Sequence, residues 1–574
     1  MTLYSQQCHC WCLYLYPEER TEMVLGKGLQ FASITSTRLV LLFSLALVAL
    51  YNFATWRALG HLISLQGLHK LAFFASFGLF LWAAITLLLT LVSFRWTLKP
   101  ALSLVALTSA AAAYFMNQYG ITIDTVMVQN VFETNPGEAA ALFNFKLLGY
   151  LLVLGLLPVV LIWRTPVRYR PFFRGLLNKL LVIAACVLVI AVSVGTFYST
   201  YAPVFREEDK LTHFINPTNY LYALGKYAKQ SLGIKQHLVI QPIGQDAAMS
   251  AQASAREKKS LMILVVGETA RADHFSLNGY ARDTNPELAR LDILNFTQVH
   301  SCGTSTAVSV PCMFSMFPRE DYSDKKGKTY EGLLDVLQRA GVQVLWLDNN
   351  SDCKGTCLRV PNRDIPKTQP SPFCDGKNCL DEALLVDLQQ YIDGLGDNAI
   401  IVLHADGSHG PEYYDRYPKN LERFTPICHT NQLGSCSSEE LVNVYDNTIL
   451  YTDHFLARVI ELLKHNQERF DTSMLYVSDH GESLGENGLY LHAAPYALAP
   501  QAQTHVPMLM WFGQQALADL GIQRDCLQGK RGEPDLSHDN LFHSVLGLFE
   551  VKTSLYQPRL DIFHSCRPNM TAAH

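Results

Sequence analysis

The sequence Leu261-Met262-Ile263-Leu264-Val265-Val266-Gly267-Glu268-Thr269 is a run of six apolar residues that leads into a glycine, a carboxylate and a hydroxyl. Four further apolar runs follow it along the chain, at 342–347, 400–403, 474–477 and 507–511. Strands that are apolar on both faces and alternate with helices are typical of a parallel sheet covered by helices on both sides. We therefore predict an α/β domain with a mostly parallel sheet over residues 259–574.

Two of the intervening helices have clear sequence signals. A helix over about 438–464 is predicted because Ser437 and Glu440 have the spacing of a capping box. A second helix is predicted from apolar residues that fall on one helical face, namely Leu384, Leu385, Leu388, Tyr391 and Ile392.

Polar side chains follow these strands at the points where the strands end. Glu268 follows the first strand, and Asp479 and His480 follow the fourth. Taken separately, Glu268 could cap a helix and the Asp-His pair could be a buried polar pair. In open α/β sheets, however, ligands bind beyond the carboxyl ends of the strands. Together the three residues therefore predict an oxygen and nitrogen ligand set of the kind that binds zinc.

The segment Cys302-Gly303-Thr304-Ser305-Thr306-Ala307-Val308-Ser309-Val310-Pro311-Cys312 places two cysteines around a run of small and hydroxyl-bearing residues. A disulfide would hold this loop and leave Thr306 at the start of a helix, where backbone N–H groups favour an anion. A threonine hydroxyl needs a base or a metal to act as a nucleophile. Alone, the segment is equally consistent with a disulfide-bonded surface loop. Beside a metal site, we interpret Thr306 as the nucleophile at the open metal position.

The chain has 14 cysteines, and ten of them lie between Cys302 and Cys566. Most of these ten form close pairs, which indicates disulfides and an exported domain. The predicted pairs are Cys302/Cys312, Cys353/Cys357, Cys374/Cys379 and Cys428/Cys436, which leaves Cys526 and Cys566 as a fifth pair. A cysteine-only zinc cluster is the weaker alternative, because the spacings are irregular and each pair sits in its own loop.

The N-terminal third is typical of a membrane protein. Hydrophobic residues make up 49% of the chain and charged residues only 17%. Five apolar runs, near 38–56, 71–94, 99–117, 147–163 and 178–197, are long enough, or nearly so, to cross about 30 Å of hydrocarbon. The connection between the last two runs is rich in arginine and is therefore predicted to be cytoplasmic. This places everything after residue 200 on the outer side.

The resulting domain prediction covers the whole chain. A cytoplasmic segment over 1–36 precedes a five-helix transmembrane domain over 37–200, which has an outward loop over 118–146. A membrane-surface linker over 201–258 then leads to the exported domain over 259–574. Residues 1–22 carry no pattern, and Met23 precedes a more ordinary membrane-protein start, so 1–22 is a candidate start-site artefact. The net charge of −5 is small for 574 residues, and no nucleic-acid partner is predicted.

Four motifs point to one family. They are Val266-Gly267-Glu268-Thr269-Ala270-Arg271, the Cys302–Cys312 loop, Gly407-Ser408-His409-Gly410-Pro411 and the segment that begins Ser478-Asp479-His480-Gly481-Glu482. Together they resemble the lipid A phosphoethanolamine transferases, which include the mobile colistin-resistance enzymes, within the alkaline phosphatase and sulfatase superfamily. The resemblance extends from about residue 30 to residue 565.

The resemblance implies roles for particular residues. Thr306 is expected to be the nucleophile, and zinc is expected to be bound by Glu268, Asp479, His480 and Thr306. One tightly bound zinc ion is expected. A second zinc or the transferred group is expected at His409, His492 and Glu482, although a histidine at 492 is also consistent with a structural role.

Other matching positions concern the substrates. Asn350 and Lys354 match residues near the phosphate and the acceptor. In the outward loop, Asn130, Thr134 and Glu138 match an Asn-x₃-Thr-x₃-Glu pattern that the family uses for lipid binding. The alternative is that these three residues form one polar face of a helix. At Ala405-Asp406 the chain departs from the family, which more usually has apolar residues or Met there.

The implied activity is a zinc-dependent transfer of phosphoethanolamine from phosphatidylethanolamine to lipid A or the lipopolysaccharide core, through a phosphothreonine-type intermediate. The enzyme is expected as a monomer in the inner membrane of a Gram-negative bacterium, with its catalytic domain in the periplasm. Transfer would lower the negative charge of the outer membrane and give resistance to polymyxin.

Two alternatives predict different sequence features. A sulfatase or phosphodiesterase could share the fold, but sulfatases carry a Cys/Ser-x-Pro-x-Arg motif that Thr306-Ala307-Val308-Ser309 lacks. A catalytically degenerate lipid sensor would be expected to have lost metal ligands, whereas every proposed ligand is present.

Overall fold

This computed structural model describes residues 33–62, 67–134, 136–198, 200–201, 209–235, 240–368 and 371–567. The described chain consists of an N-terminal group of apolar helices and a C-terminal α/β domain. Cys8, Cys10, Cys12 and Met23 lie outside the described residues, so the start-site interpretation stays a prediction.

Four helices are long and apolar enough to cross a membrane: Gly67–Leu91, Leu98–Tyr119, Phe145–Arg164 and Phe172–Thr196. The predicted first span is instead a bent pair, Ser36–Tyr51 and Phe53–Gly60, with an angle of 57° between the two helices. Counted as one span, the bent pair brings the described residues to five candidate spans.

The bend has a physical cause at Asn52, which is buried between the two helices. Its side-chain amide donates to the carbonyl oxygen of Leu47 at 2.9 Å and to that of Asn216 at 2.7 Å. Because the Asn52 side chain donates to the Leu47 carbonyl, the regular series of backbone hydrogen bonds along the helix is interrupted at this point.

The outward loop and the linker contain helices of their own. The loop has Thr125–Glu133 and Pro136–Ala141, and the linker has Asp209–Thr212 and Thr218–Lys235. Thr134 has an extended backbone conformation and ends the first loop helix. Asn130, Thr134 and Glu138 therefore do not lie on one continuous helix, and the helix-face alternative is wrong.

The α/β domain is built on an eight-stranded sheet. Its strands in chain order are β1 Lys259–Gly267, β2 Leu294–His300, β3 Gln343–Asp348, β4 Asn362–Asp364, β5 Ala399–His404, β6 Phe470–Ser478, β7 His505–Phe512 and β8 Leu536–Ser537. The spatial order is β8-β2-β7-β6-β1-β5-β3-β4. Only β7 runs antiparallel to its two neighbours, so the sheet is mostly parallel, as predicted.

Strand β1 shows why both faces of the sheet are covered. Met262, Leu264 and Val266 pack into one hydrophobic cluster, and the alternate residues Leu261, Ile263 and Val265 pack into a second cluster. All six side chains are buried. The first cluster is covered by helices Leu333–Arg339 and Asp539–Leu548, and the second by Ser438–His465.

The two helix predictions have different outcomes. Helix Ser438–His465 is confirmed together with its capping box, in which Ser437 Oγ accepts from Glu440 N–H at 3.2 Å and Glu440 Oε2 accepts from Ser437 N–H at 2.8 Å. The helix predicted around 384–392 is divided into a 3₁₀ turn, Asp381–Leu385, and a short helix, Leu388–Asp393. Asp387, with φ of 60°, separates them, because a left-handed residue cannot continue a right-handed helix.

The remaining helices of the domain are short and connect the strands. They are Ala251–Ala255, Thr306–Met313, Asp324–Thr329, Gln501–Thr504, Ala516–Asp519 and Arg524–Gly529. Within the described residues, five disulfides join Cys302–Cys312, Cys353–Cys357, Cys374–Cys379, Cys428–Cys436 and Cys526–Cys566.

The two parts of the molecule are in direct contact. Tyr119, at the end of helix Leu98–Tyr119, is buried in the α/β domain, and its hydroxyl donates to the carbonyl of Asn431 at 3.1 Å. Lys328 of the α/β domain forms an ion pair at 3.1 Å with Glu133 of the outward loop. The outward loop is therefore positioned against the α/β domain.

Candidate active site

The register of the sheet brings the polar strand ends together. Val266 of β1 is paired with His404 of β5, and Gly267 of β1 with Ser478 of β6. Glu268 and Asp479 consequently emerge side by side at the carboxyl edge. Ligand atoms of Glu268, Asp479 and His480 all lie within 4.8 Å of one another, and the three residues are fully buried.

The geometry within this cluster fits a bound cation. His480 Nε2 lies 3.3 Å from Glu268 Oε1 and 3.3 Å from Asp479 Oδ2. Both oxygens are buried and have no hydrogen-bond partner. Burial and the neighbouring Asp479 raise the pKa of Glu268 well above its ordinary value, and burial likewise raises that of Asp479. Two crowded carboxylates facing one imidazole nitrogen form a donor set suited to zinc.

Thr306 completes the cluster. Its hydroxyl donates to Glu268 Oε2 at 3.0 Å and lies 3.5 Å from His480 Nε2. Thr306 is the first residue of helix Thr306–Met313, as the loop sequence predicts. Its Oγ1 is thus beside the candidate metal ligands and near the free N–H groups of a helix start.

Two residues outside the predicted set hold this loop in place. Ser309 is buried; its hydroxyl accepts from Gly303 N–H at 3.0 Å and donates to the carbonyl of Asp479. His538 accepts from Cys302 N–H at 3.0 Å, and its other ring nitrogen lies 2.9 Å from the Ser478 carbonyl. Burial lowers the pKa of His538 to about 4, so its ring is neutral and bridges the loop to β6. Ser309 lies in the quoted loop, but no sequence signal connects His538 to it.

A cavity of about 200 Å³ opens from Thr306 toward the membrane part of the molecule. Its wall combines the Cys302–Cys312 loop with apolar residues of the outward-loop region, such as Ile123, Met127 and Val131. The cavity is also lined by Asn130, Thr134 and Glu138. The predicted lipid-binding triad therefore lies in the same cavity as the predicted nucleophile.

The two further histidines also line this cavity. The His492 ring lies 4.5 Å from the His480 ring and 5.5 Å from the His409 ring, between centroids. His492 Nδ1 lies 3.4 Å from the buried Glu482 carboxylate. Burial lowers the pKa of His492, but the Glu482 carboxylate outweighs this effect, so the pKa of His492 is raised. Burial and Arg416 both lower the pKa of His409.

Asn350 and Lys354 lie at different depths. The Asn350 amide donates to Glu268 Oε2 at 2.9 Å and to the Ala405 carbonyl at 2.9 Å, so it orients a candidate metal ligand. Lys354 lines the cavity and donates to Ser351 Oγ at 2.9 Å.

The unusual residue Asp406 is paired rather than free. Its carboxylate accepts from the Arg416 guanidinium, which also donates to the His409 carbonyl at 2.9 Å. At the position where the family more usually has an apolar residue or Met, this chain thus has an Asp406–Arg416 ion pair that contacts the backbone of His409.

Comparisons with known proteins cover both parts of the chain. A family model described as Sulfatase matches residues 260–551, and one described as Phosphoethanolamine transferase EptA/EptB matches residues 81–232. Over 520 residues the chain is 42% identical to phosphoethanolamine transferase EptA of Escherichia coli strain K12, covering 90% of this chain and 94% of the relative.

Two further similarities extend over both parts of the molecule. Phosphatidylethanolamine transferase Mcr-1 of Escherichia coli is 39% identical, covering 85% of this chain and 91% of the relative. The solved structure of the integral membrane protein lipooligosaccharide phosphoethanolamine transferase A (EptA) from Neisseria meningitidis matches with a TM-score of 0.90 at 37% identity, covering 93% of this chain and all of that chain.

Proposed function

This chain belongs to the family of phosphoethanolamine transferases that includes EptA and Mcr-1, and on that basis we propose that it transfers phosphoethanolamine from phosphatidylethanolamine to lipid A through Thr306. The observation that carries the proposal is the position of Thr306 Oγ1. It lies 3.0 Å from Glu268 in a buried ligand cluster and lines a cavity that reaches the loop of the membrane domain.

The expected metal is zinc, held by Glu268, Asp479 and His480 with Thr306 Oγ1 beside them. When bound, zinc would lower the pKa of the Thr306 hydroxyl and offset negative charge on the phosphoryl group. The orphaned oxygens of Glu268 and Asp479 support this assignment, because each lacks another partner in the described chain. His409, His492 and Glu482 form a second group beside the cavity, where imidazole N–H groups can donate to phosphoryl oxygens.

The first step consumes the donor lipid. Thr306 Oγ1 forms a bond to phosphorus, and the bond between phosphorus and the glycerol oxygen breaks. That oxygen takes up a proton and leaves as diacylglycerol, while the Thr306 proton departs toward Glu268 Oε2, to which it is already hydrogen-bonded. The chain then carries phosphoethanolamine as a phosphodiester on Thr306.

The second step returns the enzyme to its starting state. A phosphate oxygen of lipid A attacks the same phosphorus, the bond to Thr306 Oγ1 breaks, and the threonine hydroxyl regains a proton. The apolar wall of the cavity favours a lipid-bound acceptor over water. Holding both lipids at one membrane surface supplies the proximity that the transfer needs.

We place the enzyme in the inner membrane with its catalytic domain in the periplasm. The arginine-rich connection after residue 163 and the disulfides of the α/β domain support this orientation. Adding a cationic ammonium group to lipid A would weaken the attraction of the outer membrane for polymyxin and other cationic peptides.

Lipid A from cells that express this chain should gain one phosphoethanolamine in mass spectrometry, compared with cells that lack it. The matched control is a Thr306→Ala variant expressed at the same level, which should leave lipid A unmodified. Unmodified lipid A together with release of free phosphoethanolamine would instead identify a hydrolase.

A further inference from the structure

A second cavity lies at the same carboxyl edge of the sheet as the metal site. Strands β2 and β8 are parallel neighbours that end at His300 and Ser537, and both end residues line this cavity of about 310 Å³. Adjacent strands are about 4.8 Å apart, so β2 lies roughly 10 Å from β6, with only β7 between them. The other walls include Arg319, Tyr496, Asp539 and Arg559.

Arg319 is held with its guanidinium available. Its guanidinium carbon lies 3.5 Å from the centroid of the Tyr496 ring. The Tyr496 hydroxyl donates to the Ser301 carbonyl at 2.8 Å, which ties this stack to the segment that leads to Thr306. The backbone N–H of Arg319 donates to Asp539 Oδ1 at 2.8 Å. Stacking fixes the guanidinium plane and leaves its N–H edges for a ligand.

Arg559 lines the same cavity, and its guanidinium has no carboxylate partner among the described residues. Its guanidinium donates one long hydrogen bond, 3.4 Å, to Gln557. Within the described parts of the chain, neither Arg319 nor Arg559 forms an ion pair with a carboxylate. Two unpaired guanidinium groups at one cavity match the oxygens of a phosphate group.

The remaining walls suit a sugar rather than phosphate alone. The acidic residues Glu320 and Asp539 line the cavity, and burial raises the pKa of Asp539. Carboxylates repel a free anion but accept hydrogen bonds from hydroxyl groups. Burial and the nearby His505 lower the pKa of His300. His300 therefore adds a neutral ring to the wall. A phosphorylated sugar would use both sets of groups.

The cavity wall is connected to the membrane side of the molecule. Shortly after Arg319 the chain forms helix Asp324–Thr329, whose Lys328 pairs with Glu133 of the outward loop at 3.1 Å. The segment that follows Arg319 therefore contacts the outward loop of the membrane part, which favours a sugar carried on a lipid.

We propose that this cavity binds a phosphorylated sugar of the glycolipid acceptor, at an end of the acceptor that Thr306 does not modify. The inference rests on the proposed transferase function and extends it to the choice of acceptor. Arg319 and Arg559 bind the phosphate, and Glu320 and Asp539 accept hydrogen bonds from the sugar hydroxyls.

The test measures transfer by the purified full chain to two acceptors, lipid A with two phosphates and lipid A that retains only the phosphate being modified. The wild type should show a KM about tenfold lower for the first acceptor, which corresponds to 1.4 kcal/mol. Arg319→Gln and Arg559→Gln should each raise that KM about threefold with little change in kcat. The double variant should no longer distinguish the two acceptors.

Arg290→Gln is the matched control, because Arg290 is an exposed arginine outside both cavities. Diacylglycerol release from phosphatidylethanolamine without acceptor should be equal in all variants. Millimolar inorganic phosphate should raise the acceptor KM of the wild type and not of the double variant. If Arg319→Gln proves unstable in thermal unfolding, the test uses Arg559→Gln alone. This substitution is expected to leave the fold intact, because the Arg559 guanidinium donates only one long hydrogen bond.

Acceptor KM values of the arginine variants equal to that of Arg290→Gln would overturn this inference while leaving the proposed function intact. Variants that lose only binding to phosphatidylglycerol vesicles would show a general anionic-membrane contact and would also overturn it. A wild type that releases no diacylglycerol would instead refute the proposed function and this inference with it.

Discussion

Replacing Ser309 with alanine should destabilise the Cys302–Cys312 loop without replacing any proposed metal ligand. Ser309 lies one helical turn after Thr306 and is completely buried. Alanine removes the acceptor for Gly303 N–H and the donor to the Asp479 carbonyl. Each buried backbone group left without a partner costs about 1–3 kcal/mol, so we expect the loss of two such bonds to cost about 2–6 kcal/mol. The lost bond to Asp479 should also weaken zinc retention.

The assay is thermal unfolding of the purified full chain in detergent. At roughly 2 °C per kcal/mol for a large domain, the midpoint of Ser309→Ala should fall by roughly 4–12 °C. Ser305→Ala is the matched control, because the Ser305 hydroxyl is buried in the same loop but has no hydrogen-bond partner. Equal midpoints for the two variants would refute the claim that Ser309 anchors the loop to β6.

Three further predictions concern the metal, the topology and the disulfides. Asp479→Asn should lower the zinc content of the purified chain, measured by elemental mass spectrometry, and wild-type stoichiometry in this variant would contradict the ligand assignment. A reporter that is active only in the periplasm should work when fused after residue 260 and stay silent when fused near Arg170; activity at Arg170 would overturn the five-span orientation. Cys526→Ser should lower the unfolding midpoint, because the Cys526–Cys566 disulfide closes a loop with a sequence separation of 40 residues and is worth up to about 4 kcal/mol. An unchanged midpoint would show that this bond is not formed in the native protein.

The strands that carry the site could be predicted because they are buried on both faces. β1, β5 and β6 each contain a continuous apolar run, and a polar residue within two positions after each run marks the carboxyl edge. The sequence missed β2, β4 and β8 for the opposite reason. β2 alternates apolar and polar residues in Leu294-Asn295-Phe296-Thr297-Gln298-Val299-His300, and β8 has only two residues, so neither gives a continuous apolar signal.

Other features depend on contacts that are distant in sequence. His538 contacts Cys302 across 236 residues, and nothing in its local sequence distinguishes it from a surface histidine. The bend at Asn52 depends on a hydrogen bond to Asn216, so the first apolar run looks like one straight span. The cavity beside Thr306 likewise combines the outward loop with residues that follow strand ends more than 100 residues away. No pattern within either segment predicts that the two meet.

The measurement that tests the account most directly is the detection of the covalent intermediate on Thr306. The purified chain is incubated with phosphatidylethanolamine in the absence of acceptor, and diacylglycerol release and peptide masses are followed together. We expect one phosphoethanolamine on the Cys302–Cys312 peptide, located at Thr306 rather than Thr304 or Ser305. Thr306→Ser should retain some transfer and Thr306→Ala none. Transfer to lipid A by Thr306→Ala would mean that the acceptor attacks the donor lipid directly, and it would contradict the role assigned to Thr306.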